Sequence, residues 1–293
     1  MNFLFPLFAV LIWSINAIVS KLSADAIDPA AISLYRWLLA FLVLTPFVLP
    51  GVWRNRQRVR QVWWQLALLG LLGMVLYQSL AYFAAHTVSA LFMGILNALI
   101  PLLTVLLSVP LLRLAPTVGI LLGSVISFSG LVWLVSAGEP QQLMTHGLGG
   151  ELMMLAASTS YALYGVLTKR WSIGLPNWQS LYVQIFFGLL FLTPNFLLAP
   201  EVTLNLHNLP LVLFAGIPAS IIAPFLWIQG VQRMGASTAS IFMNLVPIFT
   251  ALIAVLFLHE QLHSYHFIGG GLTLVGVVLA QRVKTPLRRV NTA

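Results

Sequence analysis

Residues 61–112 read QVWWQLALLGLLGMVLYQSLAYFAAHTVSALFMGILNALIPLLTVLLSVPLL and contain no lysine, arginine, aspartate or glutamate. A helix needs about 20 apolar residues to cross the hydrocarbon core of a bilayer, so this stretch is long enough for two crossings. A turn near His86 and Thr87 separates them. The stretch therefore predicts two consecutive membrane-spanning helices, bounded by Arg60 and Arg113.

The composition of the whole chain agrees with a membrane protein. Of its 293 residues, 60% are apolar and 7% are charged, against about 25% charged residues in a soluble domain. So few charges exclude a soluble enzyme, and the apolar content excludes a disordered chain. The sequence has no cysteine, which excludes disulfides, thiolate metal sites and a cysteine nucleophile. The net charge of +8 does not indicate nucleic-acid binding, because the basic residues lie between apolar runs.

Apolar runs of similar length recur along the chain, separated by loops that contain proline, glycine and asparagine. The predicted fold class is an all-α integral membrane protein with ten transmembrane helices. The first helix lacks the basic leader of a cleaved signal peptide, so we expect it to remain in the protein. The predicted helices cover residues 3–22, 30–50, 63–84, 89–110, 117–136, 150–169, 177–198, 209–231, 236–258 and 265–282.

The distribution of basic residues predicts the orientation of the helices, because lysine and arginine concentrate in cytoplasmic loops. With the N-terminus in the cytoplasm, twelve of the fourteen basic residues fall on the cytoplasmic side, and all six acids and six histidines fall on the outer side. We therefore expect a protein of a bacterial-type inner membrane, embedded in lipid, with both termini cytoplasmic. The twelve residues are Arg54, Arg56, Arg58, Arg60, Arg113, Lys169, Arg170, Arg233, Arg282, Lys284, Arg288 and Arg289.

The two halves of the chain repeat each other at two nearly constant offsets, 148 and 146 residues. This pattern predicts a duplicated five-helix unit at 3–136 and 150–282, followed by a cytoplasmic tail at 283–293. Because five is odd, the second copy enters the membrane from the opposite side. Inverted repeats are typical of transporters, with the substrate site between the halves near the midplane. Matched positions include Lys21 with Lys169, Leu44-Thr45-Pro46 with Leu192-Thr193-Pro194, Pro101 with Pro247, and Gly123 with Gly269.

Several short motifs occur in an order typical of one family. They are Ile12-Trp13-Ser14 followed by Lys21, Arg36, Ala90 to Pro101, Ala236 to Pro247, and Phe257-Leu258-His259-Glu260-Gln261-Leu262. Together they resemble the drug/metabolite transporter superfamily, EamA type. The resemblance implies ten helices with cytoplasmic ends, and export or exchange of amino acids, metabolites or drugs. The family's acid after the ninth helix is present as Glu260, but its first-half counterpart is Leu114, so this sequence lacks a symmetric acidic pair.

The first and sixth helices each carry polar and aromatic residues at helical spacing on one face. Polar groups at bilayer depth face protein or a watery cavity, so the two stripes predict a central substrate pathway lined from both halves. Interhelical hydrogen bonds that hold the bundle together are the alternative. The stripes are Trp13, Asn16 and Ser20, and their repeat partners Tyr161, Tyr164 and Thr168.

The fourth and ninth helices each place an asparagine before a proline. A proline frees a carbonyl one turn earlier, and broken helices are where transporters bind substrate; a kink that serves packing alone is the other interpretation. Aromatic and amide residues of the third and eighth helices complete the predicted wall. These residues are Asn97 with Pro101, Asn244 with Pro247, Tyr77, Gln78 and Tyr82, and Trp227 with Gln229.

Arg36 is the one basic residue well inside a predicted span, where an unpaired arginine costs at least about 2.5–3.5 kcal/mol. It either reaches the outer surface or pairs with Asp25 or Asp28, or it meets a substrate carboxylate. Lys21 and Lys169 close their helices on opposite faces of the membrane. We interpret both lysines as end anchors or gating residues, in preference to substrate ligands.

Small residues line one face of the fifth and tenth helices and let backbones approach closely. They predict a packing face or a homodimer contact. These residues are Gly119, Gly123, Ser127 and Gly130, and Gly269, Gly270, Gly271 and Gly276.

A rival function comes from His259-Glu260-Gln261-Leu262-His263, which matches the H-E-x-x-H motif of zinc hydrolases. The motif falls in a short connection between spans, whereas zinc hydrolases carry it on a helix. We therefore expect no enzyme, no cofactor and no metal, and assign Glu260 a structural or gating role. The predicted function is alternating-access export or exchange of a small metabolite such as an amino acid; the alternatives are a membrane metalloprotease and a receptor or scaffold that does not transport.

Overall fold

A computed structural model describes residues 2–113, 117–139, 148–234 and 240–285. Its regular structure in these ranges is helical, which confirms the predicted all-α fold. Ten long segments correspond to the ten predicted helices, and a short helix, Arg56–Gln61, connects the second to the third. The ten are α1 (Leu4–Ser23), α2 (Pro29–Arg54), α3 (Trp63–Ala84), α4 (Ala90–Leu112), α5 (Val118–Val135), α6 (Gly149–Trp171), α7 (Asn177–Leu198), α8 (Leu209–Met234), α9 (Val246–Leu258) and α10 (Ser264–Arg282).

Eight of these helices in the described residues are long and apolar enough to cross a membrane. The other two differ for identifiable reasons. Helix α6 has 23 residues, about 35 Å at 1.5 Å per residue, but it carries the serines, threonines and tyrosines of the predicted pathway. Helix α9 has 13 residues, and a 3₁₀ turn at Ser240–Leu245 precedes and lengthens it.

Side-chain caps fix where several helices begin. The Asp28 carboxylate accepts the amide hydrogen of Ala30 at 2.7 Å, and Pro29 follows at the first position of α2. Ser89 and Thr117 likewise cap α4 and α5 through amides three residues ahead. Each cap satisfies an amide that has no partner within its helix.

The helices pack in pairs, and each pair joins a helix of the first half of the chain to a helix of the second half. Helix α5 packs along α10, and α2 packs along α7. Helix α1 contacts α8 and α9, as its repeat partner α6 contacts α3 and α4. Apolar side chains fill the spaces between them, with one cluster where α2, α3 and α7 meet and another around α4, α6 and α10. Each half thus contributes to the burial of the other.

The glycine faces of α5 and α10 meet each other inside one chain. A side chain at Gly123 would collide with the carbonyl oxygen of Gly276, and one at Gly130 with that of Gly269. The packing interpretation of these glycines therefore holds. Of these glycines, Gly271 is the one with open space around it in the described part of the chain. A homodimer contact through α5 and α10 stays a prediction.

Helices α3 and α8 each contain a π-helical segment that the sequence analysis did not foresee. The segments are Leu71–Leu76 and Pro218–Ile222, separated by about the offset that relates the two halves. Helices α4 and α9 are interrupted at the expected prolines, since Pro101 and Pro247 each lie at the start of a new α-helical stretch. Four helices near the centre are thus irregular, in two repeat-related pairs.

Candidate functional site

A buried arginine lies about two turns into α2. Arg36 is 2% exposed, and its Nη1 donates hydrogen bonds to Gln78 Oε1 at 2.6 Å and Tyr82 OH at 3.0 Å on α3. Its Nε and Nη2 both donate to Ser220 Oγ on α8, at 3.2 and 2.8 Å. Among the described residues its hydrogen-bond partners are neutral. In the described residues, Arg36 therefore neither reaches the outer surface nor pairs with Asp25 or Asp28. It lies in a buried cluster of neutral polar groups.

Four predicted pathway residues form a second cluster, where α3, α4 and α6 meet. The ring centroids of Tyr77 and Tyr161 are 4.7 Å apart, and those of Tyr161 and Tyr164 are 5.5 Å apart. The Tyr77 hydroxyl donates to Asn97 Oδ1 at 3.3 Å. All four side chains are partly accessible, and the cluster brings hydroxyl, amide and aromatic groups together.

The first helix of each half donates a hydrogen bond to the π-helical segment of the other half. Trp13 Nε1 on α1 donates to the carbonyl of Ala219 at 3.3 Å, and Ser160 Oγ on α6 donates to the carbonyl of Leu72 at 2.9 Å. The Trp13 ring also contacts Trp227, at 5.7 Å between centroids. Trp227 therefore faces α1.

The two stripes differ in exposure toward the C-terminal ends of α1 and α6. Ser20 is 4% exposed, whereas its repeat partner Thr168 is exposed. Ala17 is buried, whereas the equivalent Gly165 is exposed and has open space around it. Both hydroxyls donate to their own helix, Ser20 to Asn16 O and Thr168 to Tyr164 O. These two hydrogen bonds stay within α1 and α6 and do not link either helix to another.

Glu260, in the second half of the chain, binds the first turn of α4 in the first half. Its Oε1 accepts the amide of Ala90 at 2.8 Å and its Oε2 that of Leu91 at 3.0 Å, so it caps the N-terminus of α4. Nearby in the fold, Lys21 Nζ donates to the carbonyl of Ala85 at 2.7 Å. Lys169, the repeat partner of Lys21, is exposed.

The remaining predicted residues are distributed unevenly. Asn16 is half-buried, and its Oδ1 is buried with no hydrogen-bond partner in the part of the chain that is described. Pro101 is half-buried, while Pro247 is buried in helix packing. The side chain of Asn244 lies outside the described residues.

Ser220 and Ser160 were not predicted from the sequence, and Gln78 was predicted only as one residue of the pathway wall. Pro218, a proline inside a long apolar run, was the available signal for the irregular segment that holds Ser220. No such signal marks Ser160, because its partner is a backbone carbonyl 88 residues away.

The H-E-x-x-H segment lacks the geometry of a zinc site. His259 ends α9 with a left-handed backbone (φ 54°), and His263 is the residue before α10. The two histidines thus lie on different helices' ends, whereas zinc hydrolases hold them one turn apart on one helix. Glu260, which would be the general base, instead binds the two α4 amides.

A separate groove of about 630 Å³ lies between α2, α7 and α8, with Phe47, Trp178, Ile222 and Phe225 among its apolar walls and Arg54 at its edge. None of the predicted pathway residues line it. Phe47 is 80% exposed, so the groove belongs to the outer surface of the bundle.

Comparison with known proteins agrees with this architecture. The EamA-like transporter family matches at residues 2–136 and 148–281. An uncharacterized transporter of Archaeoglobus fulgidus is 27% identical, covering 92% of this chain and 93% of the relative. A protein of Streptantibioticus cattleyicolor named "probable terminal-alkyne amino-acid exporter" is 26% identical, covering 96% and 93%. A solved crystal structure with 21% identity covers 97% of the chain and 99% of its own, with a TM-score of 0.64, which shows a shared fold.

The family match covers both sets of helices, and the relatives named as transporters extend over nearly the whole chain. This sets aside the metalloprotease and the receptor or scaffold. The chain belongs to the EamA-like transporter family, and it is a multi-span membrane transporter and not an enzyme.

Proposed function

We propose that this protein transports a small amphipathic solute by alternating access, along a pathway between the stripes of α1 and α6. The observation that carries the proposal is the difference between repeat-related positions. Ser20 and Ala17 are buried in α1, whereas Thr168 and Gly165 are exposed in α6. Two halves of similar sequence pattern that differ in this way fit a transporter closed at one end and open at the other.

Thr168 and Gly165 lie at helical spacing from the two tyrosines of α6. Tyr161 and Tyr164 mark one face of the helix, because their rings contact each other and Tyr77 of α3. Thr168 lies one turn beyond Tyr164 on the same face. In this proposal, its exposure marks the open end of the pathway.

Glu260 and Lys21 would form the gate at the closed end. Glu260 comes from the second half of the chain and holds the first turn of α4 in the first half. Opening this end requires the two halves to separate, and the carboxylate must then release both amides.

The groups around the pathway favour a solute with both apolar and polar parts. The wall offers tyrosine and tryptophan rings together with the amides of Asn16 and Asn97. Amino acids with apolar side chains fit this chemistry, and one relative is named as an amino-acid exporter. Polycations fit it poorly, since they require an acid at depth.

The cytoplasmic location of both termini, in an inner membrane, is part of the proposal and rests on the distribution of basic residues. It is tested by single cysteines, which the cysteine-free chain allows. We expect an impermeant maleimide added to intact cells to label Leu206→Cys, at a position that is 90% exposed. Asn55→Cys should react only after the membrane is opened, and its labelling in intact cells would reverse the assignment.

Alternating access is tested with the repeat-related variants Ser20→Cys and Thr168→Cys in proteoliposomes. Without solute, we expect Thr168→Cys to react with a hydrophilic maleimide at least roughly tenfold faster, equivalent to about 1.4 kcal/mol. A transported amino acid, identified by counterflow of labelled leucine, phenylalanine or tryptophan, should change the two rates in opposite directions. Leu206→Cys serves as the control whose rate stays constant. Equal and unresponsive rates, or the absence of any flux, would contradict the proposal.

A further inference from the structure

Within the described ranges of the chain, the hydrogen-bond partners of Arg36 include no acid. The guanidinium is buried among Gln78, Tyr82 and Ser220, whose acceptor atoms are all neutral. The ring of Trp37 lies 5.1 Å from the guanidinium carbon, a contact that favours a cation without neutralising it. Asp28, the nearest acid before it on the same helix, is eight residues away, about 12 Å along the axis, and it is engaged as the cap of α2.

A buried charge of this kind is stabilised by an ion of opposite sign. Arginine is suited to carboxylates because two parallel N–H groups match the two oxygens. In Arg36 the Nε and Nη2 hydrogens form such an edge, and both point to a single neutral oxygen, Ser220 Oγ. That hydroxyl also donates to the carbonyl of Ala215 at 2.7 Å, so it keeps a partner when the arginine turns to another ligand.

Two partners of Arg36 are adjacent in sequence to residues that contact the predicted pathway. Ser220 follows Ala219, whose carbonyl accepts the hydrogen bond from Trp13, and Gln78 follows Tyr77, which is bonded to Asn97. Ser220 is part of the π-helical segment of α8, and Gln78 lies just after that of α3. Such segments recur at functional sites and permit local rearrangement of a helix. The partners of Arg36 are thus on the two elements that could expose it to the pathway.

We propose that Arg36 binds the carboxylate of the transported solute through its Nε and Nη2 edge, which restricts the substrates to small amphipathic monocarboxylates. This proposal rests on the transport function proposed above and specifies its substrate class. The carboxylate takes the place of Ser220 Oγ, while Gln78 and Tyr82 continue to hold Nη1. The apolar part of the solute lies toward the tyrosine cluster.

The test compares acids with their amides on the purified full-length protein. Leucine, phenylalanine and tryptophan are each paired with their carboxamides, and binding is measured by thermal shift and by competition for counterflow in proteoliposomes. At least one acid should bind and be transported, with its carboxamide weaker by at least about tenfold, because a hydrogen-bonded charge pair is lost. Equal affinity of acid and amide would refute the carboxylate site while leaving transport intact.

A variant that supplies an internal carboxylate tests the arginine itself without removing it. Gln78→Glu places an acid beside Nη1, at the position where Gln78 Oε1 now lies 2.6 Å away. We expect it to fold, with a melting temperature equal to or above that of the wild type, and to lose acid binding by at least about tenfold. Gln179→Glu is the matched control, since Gln179 Oε1 also accepts a side-chain hydrogen bond, from Asn55 Nδ2 at 2.7 Å, and a carboxylate at this position keeps that bond.

The outcomes separate the two proposals. If Gln78→Glu binds and transports the acid like the wild type, or if Gln179→Glu loses it equally, Arg36 is a packing residue and the inference fails. If the wild type neither binds nor transports any compound of the panel, the proposed function fails for this substrate class and the carboxylate site fails with it.

Discussion

Replacing Glu260 with glutamine tests whether the link between the two halves is a gate. The carboxylate accepts two amide hydrogens of α4, at 2.8 and 3.0 Å, and it places a negative charge at a helix N-terminus. Glutamine keeps one acceptor oxygen and loses the charge. A hydrogen bond to a charged group contributes about 1.5–3 kcal/mol, and Glu260 is half-exposed, so we expect the closed end to be destabilised by about 1–2 kcal/mol. This corresponds to a roughly 5- to 30-fold larger open population.

The assay is the maleimide reaction rate of Ser20→Cys, a position that is 4% exposed behind this gate. In the Glu260→Gln background the rate should rise by roughly that 5- to 30-fold factor, while Thr168→Cys should react more slowly. Glu201→Gln, an exposed loop acid, is the matched control and should change neither rate. A lowered melting temperature with an unchanged Ser20→Cys rate would mean that Glu260 only stabilises the fold, and the gating argument would be refuted.

Two further predictions concern packing and the pathway. Gly123→Leu should lower the free energy of unfolding by about 1–3 kcal/mol or prevent folding, because its side chain meets the Gly276 carbonyl. Gly271→Leu, in open space, is the control and should stay within about 0.5 kcal/mol of the wild type. Both are measured by thermal melting in detergent, and equal losses would contradict the α5–α10 contact. Asn97→Ala should remove the hydrogen bond from Tyr77 and weaken solute binding about fivefold, with Leu190→Ala, an exposed site, as control; normal binding would make Asn97 a packing residue.

The sequence alone was sufficient for the class of fold and the positions of the helices. In a bilayer the backbone must satisfy its hydrogen bonds within each segment, so a long apolar run becomes a helix wherever it occurs. The charge-free stretch at 61–112 gives two helices in the structure, α3 and α4, with the turn at the expected place. The prolines at 101 and 247 likewise fix breaks in α4 and α9, because proline cannot continue the hydrogen-bond ladder.

The candidate site could be predicted only in part. The face shared by Tyr161 and Tyr164 follows from helical spacing, and the structure brings both rings to Tyr77. The same spacing predicts Ser20 and Thr168 as equivalent pathway residues, although Ser20 is buried and Thr168 is exposed. Exposure depends on how neighbouring helices pack around each end of α1 and α6, which is a property of the tertiary structure.

Only the tertiary structure decided which groups meet Arg36 and Glu260. The partners of Arg36 lie 42, 46 and 184 residues away, and the amides bound by Glu260 lie 170 and 169 residues away. The π-helical segments that hold Ser220 and precede Gln78 arise where α3 and α8 pack against the other half. Hydropathy and spacing describe each helix separately, whereas a buried polar contact depends on the rotation and depth of two helices relative to each other, which are set by packing between segments distant in sequence.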